Sequence, residues 1–283
     1  MWSTLGEATE MTAGLIPTPA VRHHELQTPQ GPIHYVEAGS GDPVLLIHGG
    51  HGAWVHWIAN IDALARHRRV LALDLPGFGH SYGTDQRPEL ADYAAAVSSL
   101  IKALGLRNVA LAGFSFGTLV AATAASNEPD AVSSLTLINP PGIGERTAAA
   151  NALPERLSAL AKEQGLHAGV AGSLNEVMLF NKHLINPALI DLIADCVTRT
   201  RHATRSLSRQ SQMIPILEKV SQRTMVLLGA KDPYHCHELE GRGARINRAL
   251  GTESVKVIDD AAHWAQYDQS DLFNRTLLEF ISA

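Results

Sequence analysis

The pentapeptide Gly113-Phe114-Ser115-Phe116-Gly117 constrains this chain more than any other stretch of it. It follows the apolar run Val109–Ala112, which reads as a buried strand, and it opens a helical pattern over Thr118–Ala125. A strand that becomes a helix within so few residues needs a tight, strained turn. Side chains beside the turn would clash, and glycine at both ends removes them. The Ser115 hydroxyl then stands above the sheet edge at a helix N-terminus, whose dipole favours developing negative charge. A serine so placed is the expected nucleophile of a covalent reaction, given a base within reach.

The rest of the chain supplies a sheet for that turn. Short apolar runs alternate with longer helical patterns, the signature of βαβ units and a mostly parallel sheet. The strands are expected at Val21–Gln27, Ile33–Glu37, Val44–Ile47, Val70–Asp74, Val109–Ala112, Leu135–Ile138, Met225–Leu228 and Val255–Ile258. The first two alternate polar with apolar and flank Pro29-Gln30-Gly31, as an antiparallel edge hairpin would. The later runs are continuous, as in strands covered on both faces. Helices are expected over Trp54–Arg66, Glu89–Leu104, Thr118–Ala125, Glu238–Leu250 and Asp271–Ile281. From Gly144 to about Gln222 the rhythm breaks. This stretch holds helical segments at Pro154–Glu163, Leu174–Phe180, Pro187–Arg199 and Ser206–Val220, and no strand. A structureless loop of that length does not suit a compact domain. The expected organisation is a lead-in over 1–20, a core domain over 21–143 and 223–283, and a helical cap over 144–222.

The chemistry then needs a base and an acid. In a fold with this elbow the order along the chain is serine, acid, histidine. Asp232 follows the run Met225–Leu228, at a strand end where catalytic residues of open α/β sheets collect. His263 follows the last strand. Asp259 and Asp260, just before His263, are the rival acids. An oxyanion needs two donors. The N–H of Phe116 is one. The glycine-rich loop His48-Gly49-Gly50-His51-Gly52 supplies the other, Gly50 by preference and His51 as second choice. Asp74-Leu75-Pro76-Gly77-Phe78-Gly79-His80-Ser81 reads as a structural turn at the same edge. His235-Cys236-His237 lacks a third spaced ligand, so neither metal nor cofactor is expected. Arg199, Arg201 and Arg205 form a basic cluster in the cap, read as a solvated face from which one arginine could reach a substrate carboxylate.

Bulk properties narrow the partners. The formal net charge of −5 argues against nucleic acid and anionic membranes, which select basic faces. No apolar run reaches the ~18 residues of a membrane span. Cys196 and Cys236 read as free thiols in a reducing cytoplasm. A small molecule is the expected partner, and a homo-oligomer is left open.

Together the elbow, the His48-Gly49-Gly50 loop, the Asp74–Ser81 turn, Asp232 and His263 resemble the α/β-hydrolase superfamily over the chain past residue 20. The resemblance implies an α/β-hydrolase fold, with a mostly parallel central sheet flanked by helices and an inserted helical cap. Within the superfamily, His263-Trp264-Ala265-Gln266, Phe273-Asn274-Arg275 and Asn139-Pro140-Pro141-Gly142-Ile143-Gly144 are similar to segments of the meta-cleavage-product hydrolases, which cut carbon–carbon bonds. That group usually has asparagine before the nucleophile, where this chain has Phe114. Its cap arginine falls, by rough alignment, nearest Ile193. An ester hydrolase needs neither group, so cleavage of small to medium apolar esters is the expectation. Carbon–carbon hydrolysis of a 2-hydroxy-6-oxo-dienoate is the alternative, and a non-catalytic ligand receptor on the same fold is a second. Acyl transfer is left open. The expected substrate pocket is lined by His51, Phe114, Met178, Phe180 and Trp264.

Overall fold

A computed structural model describes residues 16–83, 86–209 and 213–283. Eight strands form one sheet: β1 Arg22–Thr28, β2 Gly31–Ala38, β3 Pro43–Ile47, β4 Arg69–Leu73, β5 Val109–Phe114, β6 Val132–Ile138, β7 Arg223–Gly229 and β8 Val255–Ile258. Their spatial order is β1-β2-β4-β3-β5-β6-β7-β8. β1 and β2 form the antiparallel edge hairpin, and β2 also runs antiparallel to β4. From β4 onward every pairing is parallel. Each strand overlaps the sequence expectation.

The continuous apolar runs follow from the two layers of helix. Leu45 and Ile47 of β3 point into one core cluster, and Val44 and Leu46 into the other. Strand side chains alternate between faces, so a strand buried on both must be apolar throughout.

The helices are α1 Ile61–Ala65, α2 Leu90–Ala103, α3 Phe116–Asn127, α4 Ala148–Gln164, α5 Leu166–Ser173, α6 Pro187–Arg199, α7 Arg205–Arg209, α8 Met213–Leu217, α9 Leu239–Leu250, α10 Ala265–Asp268 and α11 Ser270–Ser282. A capping box between Glu89 and Asp92 starts α2, and Asn186 caps α6 by accepting from Leu189 N at 3.0 Å. The helix expected over Trp54–Arg66 is divided into a 3₁₀ turn at Trp54–Trp57 and α1. At the break Asn60 is fully buried, and its amide donates to Gln266 O and Asn274 Oδ1 at 2.8 and 2.9 Å. That long-range polar contact fixes the chain where a continuous helix would have carried it past.

α4 to α8 lie between β6 and β7, with no strand among the described residues of this insertion. α4 begins six residues before Pro154, capped by Thr147, whose Oγ1 accepts from Ala150 N at 3.1 Å. The helix runs on through Pro154, which has no N–H to give to the carbonyl four residues back. α5 had no separate sequence signal. The long helix expected over Ser206–Val220 is present as α7 and α8; residues 210–212 between them, like residues 1–15 of the expected lead-in, lie outside the described residues.

Candidate active site

The turn from β5 to α3 puts Ser115 at φ 50° and ψ −120°, a strained conformation for a residue with a side chain. Ser115 N donates to Ile138 O at 2.9 Å, which ties the turn to the neighbouring strand end. Both flanking glycines are required by close approach. A Cβ on Gly113 would sit 2.4 Å from Gly117 O, and one on Gly117 would sit 2.4 Å from His48 O.

The three residues singled out from strand ends meet here. Ser115 Oγ donates to His263 Nε2 at 2.8 Å, and His263 Nδ1 donates to Asp232 Oδ2 at 2.5 Å. Asp232 is wholly buried, and its Oδ1 accepts from Tyr234 N at 2.9 Å. Burial alone would raise its pKa. The facing His235 and His263, with the hydrogen bonds from His263 and Tyr234, outweigh burial and hold the carboxyl well below its usual range. Asp259 and Asp260 are exposed, and no hydrogen bond joins either side chain to His263. The arrangement can take a proton from Ser115 and stabilise the resulting imidazolium.

Two features that single-sequence reading did not anticipate lock His263 in place. At Leu174–Met178 the insertion makes one π-helical turn, closed by Leu179 N donating to Leu174 O at 3.0 Å. Such turns release backbone carbonyls from the helix ladder. Here Val177 O accepts from His263 N at 3.2 Å and Met178 O from Trp264 N at 2.8 Å. The second feature is Asn139, at the end of β6. Its Oδ1 accepts from Gly229 N and His235 Nε2 at 2.8 and 3.1 Å. Its Nδ2 donates to Ala262 O and His263 O at 3.1 and 2.7 Å. One buried amide thus joins three strand-end loops. Its signal in the sequence was only its place after a strand.

Gly50 and Phe116 line the same cavity as Ser115. Phe116 is the first residue of α3, so its N–H has no acceptor within the helix. A Cβ on Gly50 would sit 2.5 Å from Thr204 Oγ1 and 4.0 Å from Phe116 Cβ, which sets Gly50 beside Phe116 under the insertion. Buried groups hold this loop. His48 Nδ1 donates to Gly49 O at 2.7 Å while its Nε2 accepts from Leu75 N at 2.9 Å. Asp74 Oδ1 accepts from Trp54 N at 2.8 Å. The Asp74–Ser81 turn is a brace, as its composition suggested. His56 Nδ1 accepts from Gly49 N at 3.2 Å, which leaves the ring proton on Nε2.

The cavity over Ser115 has a volume of ≈ 390 Å³. Leu157, Leu166, Val170, Leu174, Val177 and Ile193 of the insertion give it an aliphatic wall, and His51 and Met178 line it as expected from sequence. Three other expectations are corrected. Phe114 is buried among Gly49, His56 and His263 beneath the site, because alternation in β5 turns it away from the side that Ser115 faces. Phe180 is 40% exposed, with Lys231 Nζ 5.7 Å from its ring centroid. Trp264 is fully buried, stacked on Tyr267, with Nε1 donating to His56 O at 2.8 Å. Large apolar residues near a site are as often its support as its wall.

Of the three arginines Arg199, Arg201 and Arg205 in the insertion, Arg205 reaches the cavity, while Arg199 pairs with Asp195 at 2.7 Å. Arg201 N donates to Gly77 O at 2.9 Å and its side chain lies against Gly83. Arg146 and Tyr234, not anticipated, also line the cavity. His235 and His237 point to different partners, Asn139 Oδ1 and Glu145 O.

With this geometry in place, comparison with known proteins decides the class. A sequence profile described as the alpha/beta hydrolase fold matches residues 42–270. The chain belongs to the α/β-hydrolase family. It is similar to a 2-hydroxy-6-oxo-6-phenylhexa-2,4-dienoate hydrolase of Comamonas testosteroni, 26% identical over 88% of this chain and 91% of that one. It is 33% identical, over 85% of its length, to the dihydrolipoyllysine-residue acetyltransferase component of the acetoin cleaving system of Pseudomonas putida, and spans 64% of that longer protein. Among solved structures, naproxen esterase of Bacillus subtilis superposes with a TM-score of 0.79 at 20% identity, covering 97% of this chain and 94% of that one; this likeness is one of fold. The α/β-hydrolase relatives and neighbours are enzymes, and this chain is an enzyme of the same class. No helix among the described residues is long and apolar enough to cross a membrane.

The buried histidines make a pH prediction. Burial lowers the pKa of His235 to about 3, and burial also lowers those of His48 and His56. A histidine held neutral in the fold takes a proton first in the unfolded chain, from pH 6.5 downward. For His235 the contribution is therefore intact above pH 6.5 and is lost as pH falls towards 3, at about 1.4 kcal/mol per pH unit, and His48 and His56 act in the same direction. Thermal melts from pH 7 to 4.5 should show stability falling, and His235→Asn should flatten that fall by about one proton's worth. An unchanged slope in the variant would refute the assignment.

Proposed function

We propose that this α/β hydrolase is a carboxylic ester hydrolase acting through Ser115, His263 and Asp232, beneath a helical cap formed by residues 144–222. The observation that carries the reading is the hydrogen-bonded chain from Ser115 Oγ to Asp232, set at the floor of a cavity with an aliphatic wall. Ser115 Oγ attacks the acyl carbonyl as His263 Nε2 takes its proton. The amides of Gly50 and Phe116 receive the oxyanion. His263 gives the proton to the departing alcohol, leaving an acyl group on Ser115. A water deprotonated by His263 then releases the acid and restores the serine. A cytoplasmic location fits the two free cysteines, Cys196 buried and Cys236 exposed.

A second reading is favoured by one observation. Arg205 and Arg146 border the cavity and offer the carboxylate anchor that hydrolysis of a 2-hydroxy-6-oxo-dienoate would use. Against it stand Phe114, apolar and buried where a polar neighbour of the nucleophile would act, and Ile193 in the cavity wall. Alkoxide leaves readily once protonated, whereas a carbon leaving group must first be polarised. Kinetics on p-nitrophenyl butyrate and on a 2-hydroxy-6-oxo-dienoate, run side by side, test the choice. The ester should show the higher kcat/KM, by tenfold or more. A tenfold preference for the dienoate would overturn the ester reading.

A further inference from the structure

The cavity carries a positive end that ester hydrolysis alone does not require. Arg146 stands where the aliphatic cavity meets an outer cleft of ≈ 720 Å³, and it borders both. Its guanidinium carbon lies 4.3 Å from the centroid of the Tyr234 ring, and the Tyr234 ring in turn packs edge-on against His263 with centroids 5.3 Å apart. One aromatic ring therefore separates this cation from the base. Among the described residues no carboxylate lies within ion-pair distance of Arg146. The nearby Arg205 and Arg209 share a single carboxylate, Glu155, at 3.3 and 3.7 Å. Glu145 and Arg242 also line the outer cleft, so four guanidiniums, those of Arg146, Arg205, Arg209 and Arg242, stand against two carboxylates, Glu145 and Glu155, and leave a surplus of positive charge at the mouth of the cavity. Burial and the neighbouring Arg209 and Arg205 lower the pKa of Arg146, against the opposing pull of Tyr234 and Asp232. An anion arriving there would relieve that repulsion.

We propose that Arg146 is a substrate anchor: the preferred esters carry a carboxylate on one side of the scissile bond, held by Arg146, and an apolar group on the other, held by the aliphatic wall. An arginine resting on an aromatic face keeps its N–H edges free, and that fork matches a carboxylate. The spacing across one ring places the carboxylate a few bonds from the carbonyl that Ser115 attacks. This inference rests on the ester reading, and it names the substrate class of that same site.

Two pairs of near-isosteric esters test it. Monoanionic p-nitrophenyl hemiglutarate is compared with p-nitrophenyl valerate, and 3-(butyryloxy)benzoate with phenyl butyrate. Wild type should favour the anionic member of at least one pair by tenfold or more in kcat/KM, chiefly through KM. Arg146→Gln should erase at least tenfold of that preference, and Arg146→Lys should retain an intermediate value. Arg199→Gln, whose arginine is paired with Asp195 outside the cavity, should leave the ratio as in wild type. Calorimetric titration reads the anchor without turnover: 4-phenylbutyrate should bind at least tenfold tighter than 4-phenylbutanol, and Arg146→Gln should remove the difference. Selective, Arg146-dependent binding with no turnover of any ester would keep the anchor and discard the ester reading. Ester turnover with no charge preference in either pair, or a preference that survives Arg146→Gln, would overturn the anchor and leave the ester reading standing.

Discussion

Ser115→Ala is expected to lower kcat by about a million-fold, the loss typical when a triad serine is removed. The geometry makes the test clean. Only one oxygen is deleted, and alanine meets the same φ of 50° as serine does, so backbone strain is unchanged. The support for His263 comes from Val177 O, Asn139 and Asp232, none of which depends on Ser115 Oγ. The variant should melt within a few degrees of wild type. What activity remains should be the share that binding and the oxyanion donors supply on their own. Turnover within a hundredfold of wild type would place the nucleophile elsewhere.

Asp232→Asn is expected to cost about 10⁴-fold in kcat. His263 Nδ1 now donates to Asp232 Oδ2, which leaves Nε2 bare to accept from Ser115. An asparagine can present its N–H₂ to Nδ1. That moves the ring proton to Nε2, where it faces the serine and blocks proton abstraction. The loss of a buried negative charge also leaves the imidazolium unsupported. Asp259→Asn and Asp260→Asn should change kcat by less than about twofold, since both side chains are exposed surface groups. A large loss in Asp260→Asn with little in Asp232→Asn would reverse the assignment.

The parts of this molecule that were legible in the sequence are those that local chemistry dictates. The inner strands were legible because burial on both faces demands continuous apolar runs, and the first two because their alternation around a turn marks an edge hairpin. The elbow was legible because two glycines and a serine between strand and helix leave few other arrangements. Strand-end position then picked out Asp232 and His263. What stayed hidden was set by tertiary contact. Arg146 lies in the Gly144–Thr147 stretch before α4, and only the folded chain brings it to Tyr234, 88 positions away as their numbers show. The π-helical turn at Leu174–Met178 exists to meet the backbone of His263 and Trp264, and nothing in its own residues announces it. Phe114 and Trp264 were misplaced for a related reason. The apolar run holding Phe114 and the place of Trp264 beside His263 suggested a wall, whereas strand alternation and the Trp264 bond to His56 O turn both rings into the support beneath.

The most direct test of the account is covalent capture. A fluorophosphonate should add once to the native protein, at Ser115 by peptide mass mapping, with loss of ester turnover in step with adduct formation. Asp232→Asn should slow that capture, and Ser115→Ala should abolish it. An adduct mapped to any other serine, or full labelling of Ser115 with ester turnover intact, would contradict the claim that Ser115, His263 and Asp232 work as one catalytic unit.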